Sequence, residues 1–294
     1  MGRFKQSQKS SIATPGRFIR QVIPSNVCVE AITIPSPLIT NYEEESIIGK
    51  GRFGMCSKVL LHGVIVCAKR LLDPACLAKS LLVHEATMLS KVRHPNIAYL
   101  LGVQTSKEPF QLLTLFYSVA GVSVTISDTL HSVNEIKGRA IELLKQTLTT
   151  NIWLGLMKDL AKALEYIHSK SIIHRDLKSD NVVFNKINET IHCVLVDFGK
   201  SNYVGKVSKY RLTSKEKETY RQDHKHIAPD LVDGVSIVST ASDMYSYGRL
   251  LKNIIQYFPL QAVATPIQKG IKKCLMYNSL ERHTAVEMIQ ILAQ

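Results

Sequence analysis

The sequence predicts an α+β chain of two unequal lobes, a small antiparallel β-rich lobe followed by a larger, mainly helical one. Three observations predict it. Short apolar runs, parted by Gly or polar breaks, crowd the segment from Tyr42 to Tyr117. Beyond Gly121 apolar residues recur instead at three- and four-residue spacing. The chain has 294 residues, 45% of them hydrophobic, which is long for a single core of ordinary size.

The elements follow in order. Residues 1–41 hold Pro15, Pro24, Pro35 and Pro37, many Ser and Thr, and no lasting periodicity, which predicts an irregular, basic N-terminal extension. Strands are expected at Ser46–Ile48, Val59–Leu61, Val64–Ala68, Tyr99–Val103 and Leu112–Tyr117. Between them Leu81, Leu82, Glu85, Met88, Leu89 and Val92 predict a helix over Ala78–Val92. Ile152–Ser169 reads as an amphipathic helix with Leu154, Met157, Leu160, Ala161, Leu164 and Ile167 on one face. Short strands flank a loop at 172–184, another ends at Asp197, and helices return from about Thr240. The division expected is 1–41 as extension and 42–294 as one folded unit, its lobes spanning about 42–117 and about 118–294. There is no internal repeat.

Composition narrows the function classes. The formal net charge of +13 is uneven. Residues 1–40 carry five basic side chains against Glu30, and residues 200–226 carry eight against Glu216, Glu218 and Asp223. Aromatics do not interleave with these basic residues in a stacking pattern, so the surface reads as solvated, or as a seat for acidic or phosphorylated partners, rather than as a nucleic-acid site. The six cysteines form no CxxC pair and no zinc spacing, which predicts free thiols in a reducing compartment. No apolar run is long enough to span a bilayer, and Gln6 stands where acylation of Gly2 wants Ser or Thr. A cytoplasmic location is the expectation.

The chemistry is concentrated in four blocks. Ile48-Gly49-Lys50-Gly51-Arg52-Phe53-Gly54 lies between two strands; alone it fits an ordinary Gly-rich hairpin as well as a phosphate-covering loop, and the strand that follows argues against a dinucleotide-binding turn, which leads into a helix. Val66-Cys67-Ala68-Lys69 ends an apolar run with a lysine that is costly to bury unpaired, and Glu85 on the following helix supplies an anion. His174-Arg175-Asp176-Leu177-Lys178-Ser179-Asp180-Asn181 follows, and Asp197-Phe198-Gly199 comes sixteen residues after Asn181.

These blocks, in this order, resemble the eukaryotic protein kinase superfamily from about Tyr42 to Gln294. Ala228-Pro229-Asp230, Ser242-Asp243-Met244-Tyr245-Ser246-Tyr247-Gly248 and Arg282 agree with later family landmarks, and His94-Pro95-Asn96-Ile97 and Leu101-Gly102-Val103 look most like the tyrosine-kinase-like group. The resemblance implies the two-lobed protein kinase fold and transfer of the γ-phosphoryl group of ATP to a protein hydroxyl. It implies Asp176 as catalytic base, Lys178 on the γ-phosphate, Lys69 on the α- and β-phosphates with Glu85 as its partner, and Asn181 and Asp197 on Mg²⁺, with Mn²⁺ as the alternative ion. It places Gly49, Gly51, Phe53 and Gly54 over the phosphates. It puts Ile48, Cys56 and Ala68 above the adenine ring, Val183 below it, Thr114 as gatekeeper, and Leu115 and Tyr117 at the hinge. Leu89, His174 and Phe198 form a spine between the lobes.

Two departures stand out. Asp230 replaces a glutamate, shortening the arm toward Arg282 by one methylene and weakening the pair. Gln222-Asp223-His224-Lys225-His226 fits neither hydroxyl class: Asp223 takes the place of a threonine that contacts the catalytic lysine and is positioned to bond Lys178, and His226 takes the place of a tryptophan found in tyrosine kinases. Lys178 favours Ser/Thr over Tyr as the acceptor. A tyrosine or dual-specificity kinase and a catalytically silent scaffold of the same fold remain the alternatives.

Overall fold

The computed structural model describes residues 33–41, 47–51, 54–72, 74–131, 135–207, 209–258 and 263–293. Residues 1–32 of the extension and Phe53 lie outside them.

Strands β1 (Ile39–Asn41), β2 (Ile47–Lys50), β3 (Gly54–Leu61), β4 (Val64–Leu71), β5 (Leu100–Gln104) and β6 (Gln111–Leu115) form one antiparallel sheet. The order is β1-β3-β4-β6-β5, with β2 on the other end of β3. His62 and Gly63, at φ 50° and 77°, join β3 to β4 through a two-residue loop whose backbone twist suits a hairpin. Helix α1 (Ala75–Ser90) packs Leu82, Ala86 and Leu89 inward. The chain before Tyr42 is not all irregular: β1 pairs with Val59–Leu61, and Ile34 donates its backbone N–H to Val103 at 2.9 Å. Residues 39–41 thus add a strand to the sheet of the small lobe, and the prolines before β1 disguise a strand of three residues.

The larger lobe holds α2 (Ile126–Leu130), α3 (Glu135–Thr147), α4 (Thr150–Ser169), α5 (Ser214–Asp223), α6 (Pro229–Val232), α7 (Thr240–Tyr257), α8 (Thr265–Cys274) and α9 (Ala285–Ile291). The strands β7 (Ile172–Ile173) and β10 (Asn202–Tyr203), and β8 (Val182–Ile187) and β9 (Thr190–Leu195), form two further two-stranded sheets, and Leu195 of β9 bridges Ile97 in the segment before β5. Capping fixes the helix starts: Thr149 accepts from the Ile152 amide, and Thr284 forms a reciprocal box with Glu287. On α4 the buried stripe is wider than periodicity predicts, adding Trp153, Leu156 and Ala163, while Leu154 is only half-buried. Trp153 packs edge-on to Phe184 at 5.7 Å, and the buried Tyr247 hydroxyl donates to the Met157 carbonyl at 2.8 Å. No helix among the described residues is long and apolar enough to cross a membrane.

Arg282 and Asp230 meet despite the shortened arm. The guanidinium is buried, bonds Asp230 Oδ1, and donates to the carbonyls of Met276, Ala241 and Tyr277 at 2.7, 3.1 and 2.8 Å. The shorter residue leaves its mark elsewhere, because Asp230 Oδ2 is buried without a partner among the described residues. The pair ties α6 to the loop before α9.

Three outcomes follow for stability. Asp230→Ala isolates a buried guanidinium and should lower unfolding stability by about 3 kcal/mol, read from urea titration. A Cβ at Gly248, where α7 crosses α8, would lie 2.6 Å from Cys274 Cβ, whereas one at Gly155 on α4 meets nothing within 4 Å. Gly248→Ala should therefore cost about 1–3 kcal/mol by overpacking, and Gly155→Ala should stabilise the chain by about 0.5–1 kcal/mol. Thermal melts distinguish the two signs.

Candidate active site

The period of β4 decides the roof of the cleft. Side chains two apart share a face, so Cys67 and Lys69 point into the cleft together. Ala68 points the other way and is fully buried in a separate cluster with Val59, Val66 and Leu113. This corrects the sequence reading: the residue beside Cys56 in the roof is Cys67, not Ala68. The two thiols share a hydrogen bond, which pushes the Cys56 pKa up and pulls the Cys67 pKa down. The hydroxyl of Thr114, opposite Cys67 in the β4–β6 register, also bonds Cys67. Leu115 follows, its backbone N–H donating to Tyr99 at 3.1 Å, while the Tyr117 hydroxyl accepts from the Tyr99 amide at 2.8 Å. Val183 is buried on β8, and Ile48 is half-buried on β2.

The glycines of the β2–β3 turn differ in purpose. A Cβ on Gly54 would meet the Arg70 carbonyl at 2.4 Å, so close strand pairing requires that glycine. A Cβ on Gly49 would meet nothing within 4 Å, and one on Gly51 only the Gly54 carbonyl at 3.8 Å. No packing among the described residues demands their bareness; an open backbone suits a ligand that approaches from outside.

Lys69 forms the centre of an ion cluster. Its Nζ lies 2.8 Å from Glu85 Oε2 and 2.6 Å from Asp197 Oδ1. Burial alone would lower the Lys69 pKa, but the Asp197 and Glu85 carboxylates outweigh it and raise it above the ordinary lysine range. Burial would likewise raise Asp197, yet Lys69 holds it below the usual carboxylate value. For Glu85 burial wins and the pKa rises. Glu85 also accepts the Phe198 amide at 3.1 Å. A Cβ on Gly199 would sit 3.2 Å from Asp197 Oδ1 and 3.3 Å from Glu85 Oε2, so the glycine after Phe198 leaves the cluster room to close. Phe198 is fully buried edge-on to His174 at 4.8 Å, and Leu89 is buried in the same core cluster as Phe198.

The loop that carries Asp176 is hung from α7. Asp243 is buried and accepts the His174 amide at 2.7 Å, the Arg175 amide at 2.8 Å and His168 Nε2 at 3.0 Å. Burial would raise its pKa; His168 and then His174, through its ring and its amide, depress it. Arg175 is thereby held in the left-handed region at φ 70°, a conformation that persists only under such restraint. His174 is buried, which lowers its pKa; Nε2 faces the Val196 carbonyl at 3.1 Å and Nδ1 accepts the Asp176 amide at 3.3 Å. That pattern fits the neutral ring protonated on Nε2.

Asp176 is ringed by two lysines and a histidine. Its Oδ1 lies 2.9 Å from Lys200 Nζ and 3.2 Å from His226 Nε2, and its Oδ2 lies 3.6 Å from Lys178 Nζ. Burial would raise its pKa, but His226, then Lys200 and Lys178, hold it far below the carboxylate range. Lys200 and His226 were missed as site residues. Lys200 has only its place after Gly199 to recommend it, and His226 lies in the segment flagged as anomalous. The expected contact of Asp223 with Lys178 does not form. Asp223 is the exposed last residue of α5 and makes no ion pair with Lys178 among the described residues. The helix turns it outward, and His226 arrives at the loop instead.

The oxygens left over suit a hard cation. Asn181 turns its amide nitrogen to the Asp176 carbonyl at 2.8 Å, so its oxygen faces elsewhere, and Asp197 uses only Oδ1 on Lys69, with its side chain 38% exposed. Among the described residues no cluster of three His, Cys, Asp or Glu could hold a metal by itself. Two oxygen donors fit Mg²⁺, which keeps water and phosphate oxygens among its ligands, better than a metal needing a full protein cage.

Comparison with known proteins agrees with this geometry. The chain is 27% identical over 233 residues to the dual specificity protein kinase zakA of Dictyostelium discoideum, covering 76% of this chain and 28% of that one. It is 28% identical over 230 residues to the serine/threonine-protein kinase VIK of Arabidopsis thaliana, covering 76% and 48%. It is 25% identical over 240 residues to the tyrosine-protein kinase SPK-1 of Girardia tigrina, covering 79% and 44%. The chain thus spans less than half the length of each of these relatives. The family described as the protein kinase domain matches residues 42–291, and this chain belongs to that family.

Proposed function

We propose that the chain transfers the γ-phosphoryl group of ATP, with Mg²⁺, to a Ser or Thr hydroxyl of a protein. The observation that carries the reading is the joining of Lys69, Glu85 and Asp197 in one ion cluster beside a loop that holds Asp176 and Asn181. Lys69 binds the nucleotide phosphates once Asp197 releases it, and Glu85 keeps its charge compensated meanwhile. Asp197 and the Asn181 oxygen would hold Mg²⁺, which supplies charge neutralisation of the phosphates when bound. Asp176 receives the acceptor hydroxyl's proton. To do so its Oδ1 must exchange Lys200 or His226 for that hydroxyl. Lys178, already 3.6 Å from Asp176, stands where it can face the transferring phosphoryl group. The Ser/Thr preference rests on Lys178 and on relatives named as Ser/Thr or dual-specificity kinases. A cytoplasmic workplace is supported by the free thiols of Cys56, Cys67, Cys193 and Cys274.

Incubation with Mg-ATP and an acceptor protein, followed by mass spectrometry, tests activity and residue class together. Phosphate on Ser or Thr is expected; phosphate on Tyr alone overturns the class, and none at all overturns the reading. Asp197→Asn should lower the rate at least 100-fold, about 2.7 kcal/mol, with the thermal melt retained. Lys69→Met should act in the same direction.

His226→Ala removes the side-chain hydrogen bond that does most to depress Asp176. The carboxylate pKa should rise, so the acidic limb of the kcat/KM profile should move to higher pH. A limb that stays in place would mean His226 does not govern that proton.

A further inference from the structure

Next to the segment that delivers His226 lies a second depression, about 170 Å³ in volume. Its walls include Tyr220 and Arg221 of α5, Lys225 and Ile227 after it, and Tyr245 and Arg249 of α7. Three of these residues are cations, and no carboxylate lines the depression. Arg221 spends one nitrogen on Asp233 at 2.6 Å, and that carboxylate is also held by the Tyr277 hydroxyl at 2.8 Å. Lys225 is exposed and forms no ion pair among the described residues. Arg249 Nε is buried with no hydrogen-bond partner among the described residues. A buried, unpaired guanidinium nitrogen is costly, and a site where Lys225 and Arg249 lack an ion-pair partner among the described residues, beside the Asp233-bound Arg221, is complete only when an anion arrives. Tyr245, packed under the Arg282 guanidinium at 5.2 Å, gives the depression a fixed aromatic wall.

We propose that this depression is a subsite for an anionic side chain, carboxylate or phosphate, carried by the protein substrate. The inference rests on the kinase reading for the identity of its occupant. The placement argues for a substrate rather than a distant partner. Ile227 in the wall directly follows His226, which touches Asp176 at 3.2 Å. An extended chain spans about 3.3–3.6 Å per residue, so an anion roughly two to four residues from the acceptor hydroxyl reaches the cations. Arginines clamp carboxylate and phosphate oxygens with paired donors, which makes this charge set selective for planar or tetrahedral oxyanions.

The test uses the whole chain and labelled peptides of one scaffold bearing a single Ser acceptor. Ala, Glu, phosphoserine or Lys is placed in turn at each position from four before to four after it. Binding is read by fluorescence anisotropy, and phosphate incorporation is measured separately. Glu or phosphoserine at one or two positions should tighten binding about tenfold over Ala, and Lys should weaken it. A larger gain for phosphoserine than for Glu identifies a phosphorylated substrate; equal gains identify an acidic one. Arg249→Gln should cut the gain below threefold, and Arg249→Glu should shift the preference to Lys at the same position. Lys225→Gln, at an exposed position, should reduce the gain independently if the Arg249 variants melt early. Absence of any acidic preference in binding overturns the subsite, as does a preference that survives both Gln variants. Preference without phosphate incorporation leaves the subsite and removes the kinase reading; incorporation without preference does the reverse.

Discussion

One buried carboxylate connects the three parts that must meet in this cleft. Glu85, on α1, accepts Lys69 from the sheet through one oxygen and the Phe198 amide from the larger lobe through the other. Each partner comes from a different stretch of chain, so helix position, lysine position and the conformation at 197–199 are not independent. Moving α1 outward would leave Lys69 to Asp197 alone and orphan a buried amide. The desolvation of Glu85 is compensated only while all three parts are in register, which makes the arrangement all-or-none rather than graded. The absence of a side chain at Gly199 belongs to the same constraint, since the cluster closes over that residue.

Charge around Asp176 follows a different logic. Lys200 and His226 share one carboxylate oxygen, and Lys178 faces the other. The structure thus holds the Asp176 carboxylate in its ionised form with one oxygen already engaged by two groups. On the proposed function, substrate entry is an exchange of partners and not the filling of an empty position. Both blocking groups lie in the segment between Gly199 and Ala228, so rearranging that segment and exposing Asp176 are the same event.

The lobes and most of the chemistry were legible because they depend on local rules. Alternation marks strands, three- and four-residue recurrence marks helices, and fixed spacing within a loop places Asp176, Lys178 and Asn181 near one another. Lys69 and Glu85 could be paired in advance because a lysine closing an apolar run needs an anion. Three things were not legible. Ala68 was assigned to the roof by its place in a motif, whereas strand period gives that position to Cys67. His226 and Lys200 reach Asp176 only through the path of a segment with no repeating pattern, and α5 turns Asp223 away from Lys178. The strand at Ile39–Asn41 is three residues long and follows two prolines, so its pairing with β3 is a tertiary effect with no local signal.

The suspension of the 174–176 loop from Asp243 bears on the order in which the chain folds. Those two amides bond a residue 68 and 69 positions away. Closing so long a loop has an entropic cost that only the packed core of the larger lobe can offset. Until α7 is docked, Arg175 has no reason to adopt its left-handed conformation, and the loop has no fixed shape. The geometry of the 174–176 loop is therefore a late product of folding: a partly unfolded chain with an intact β-sheet lobe but an undocked α7 would present Lys69 without an ordered Asp176.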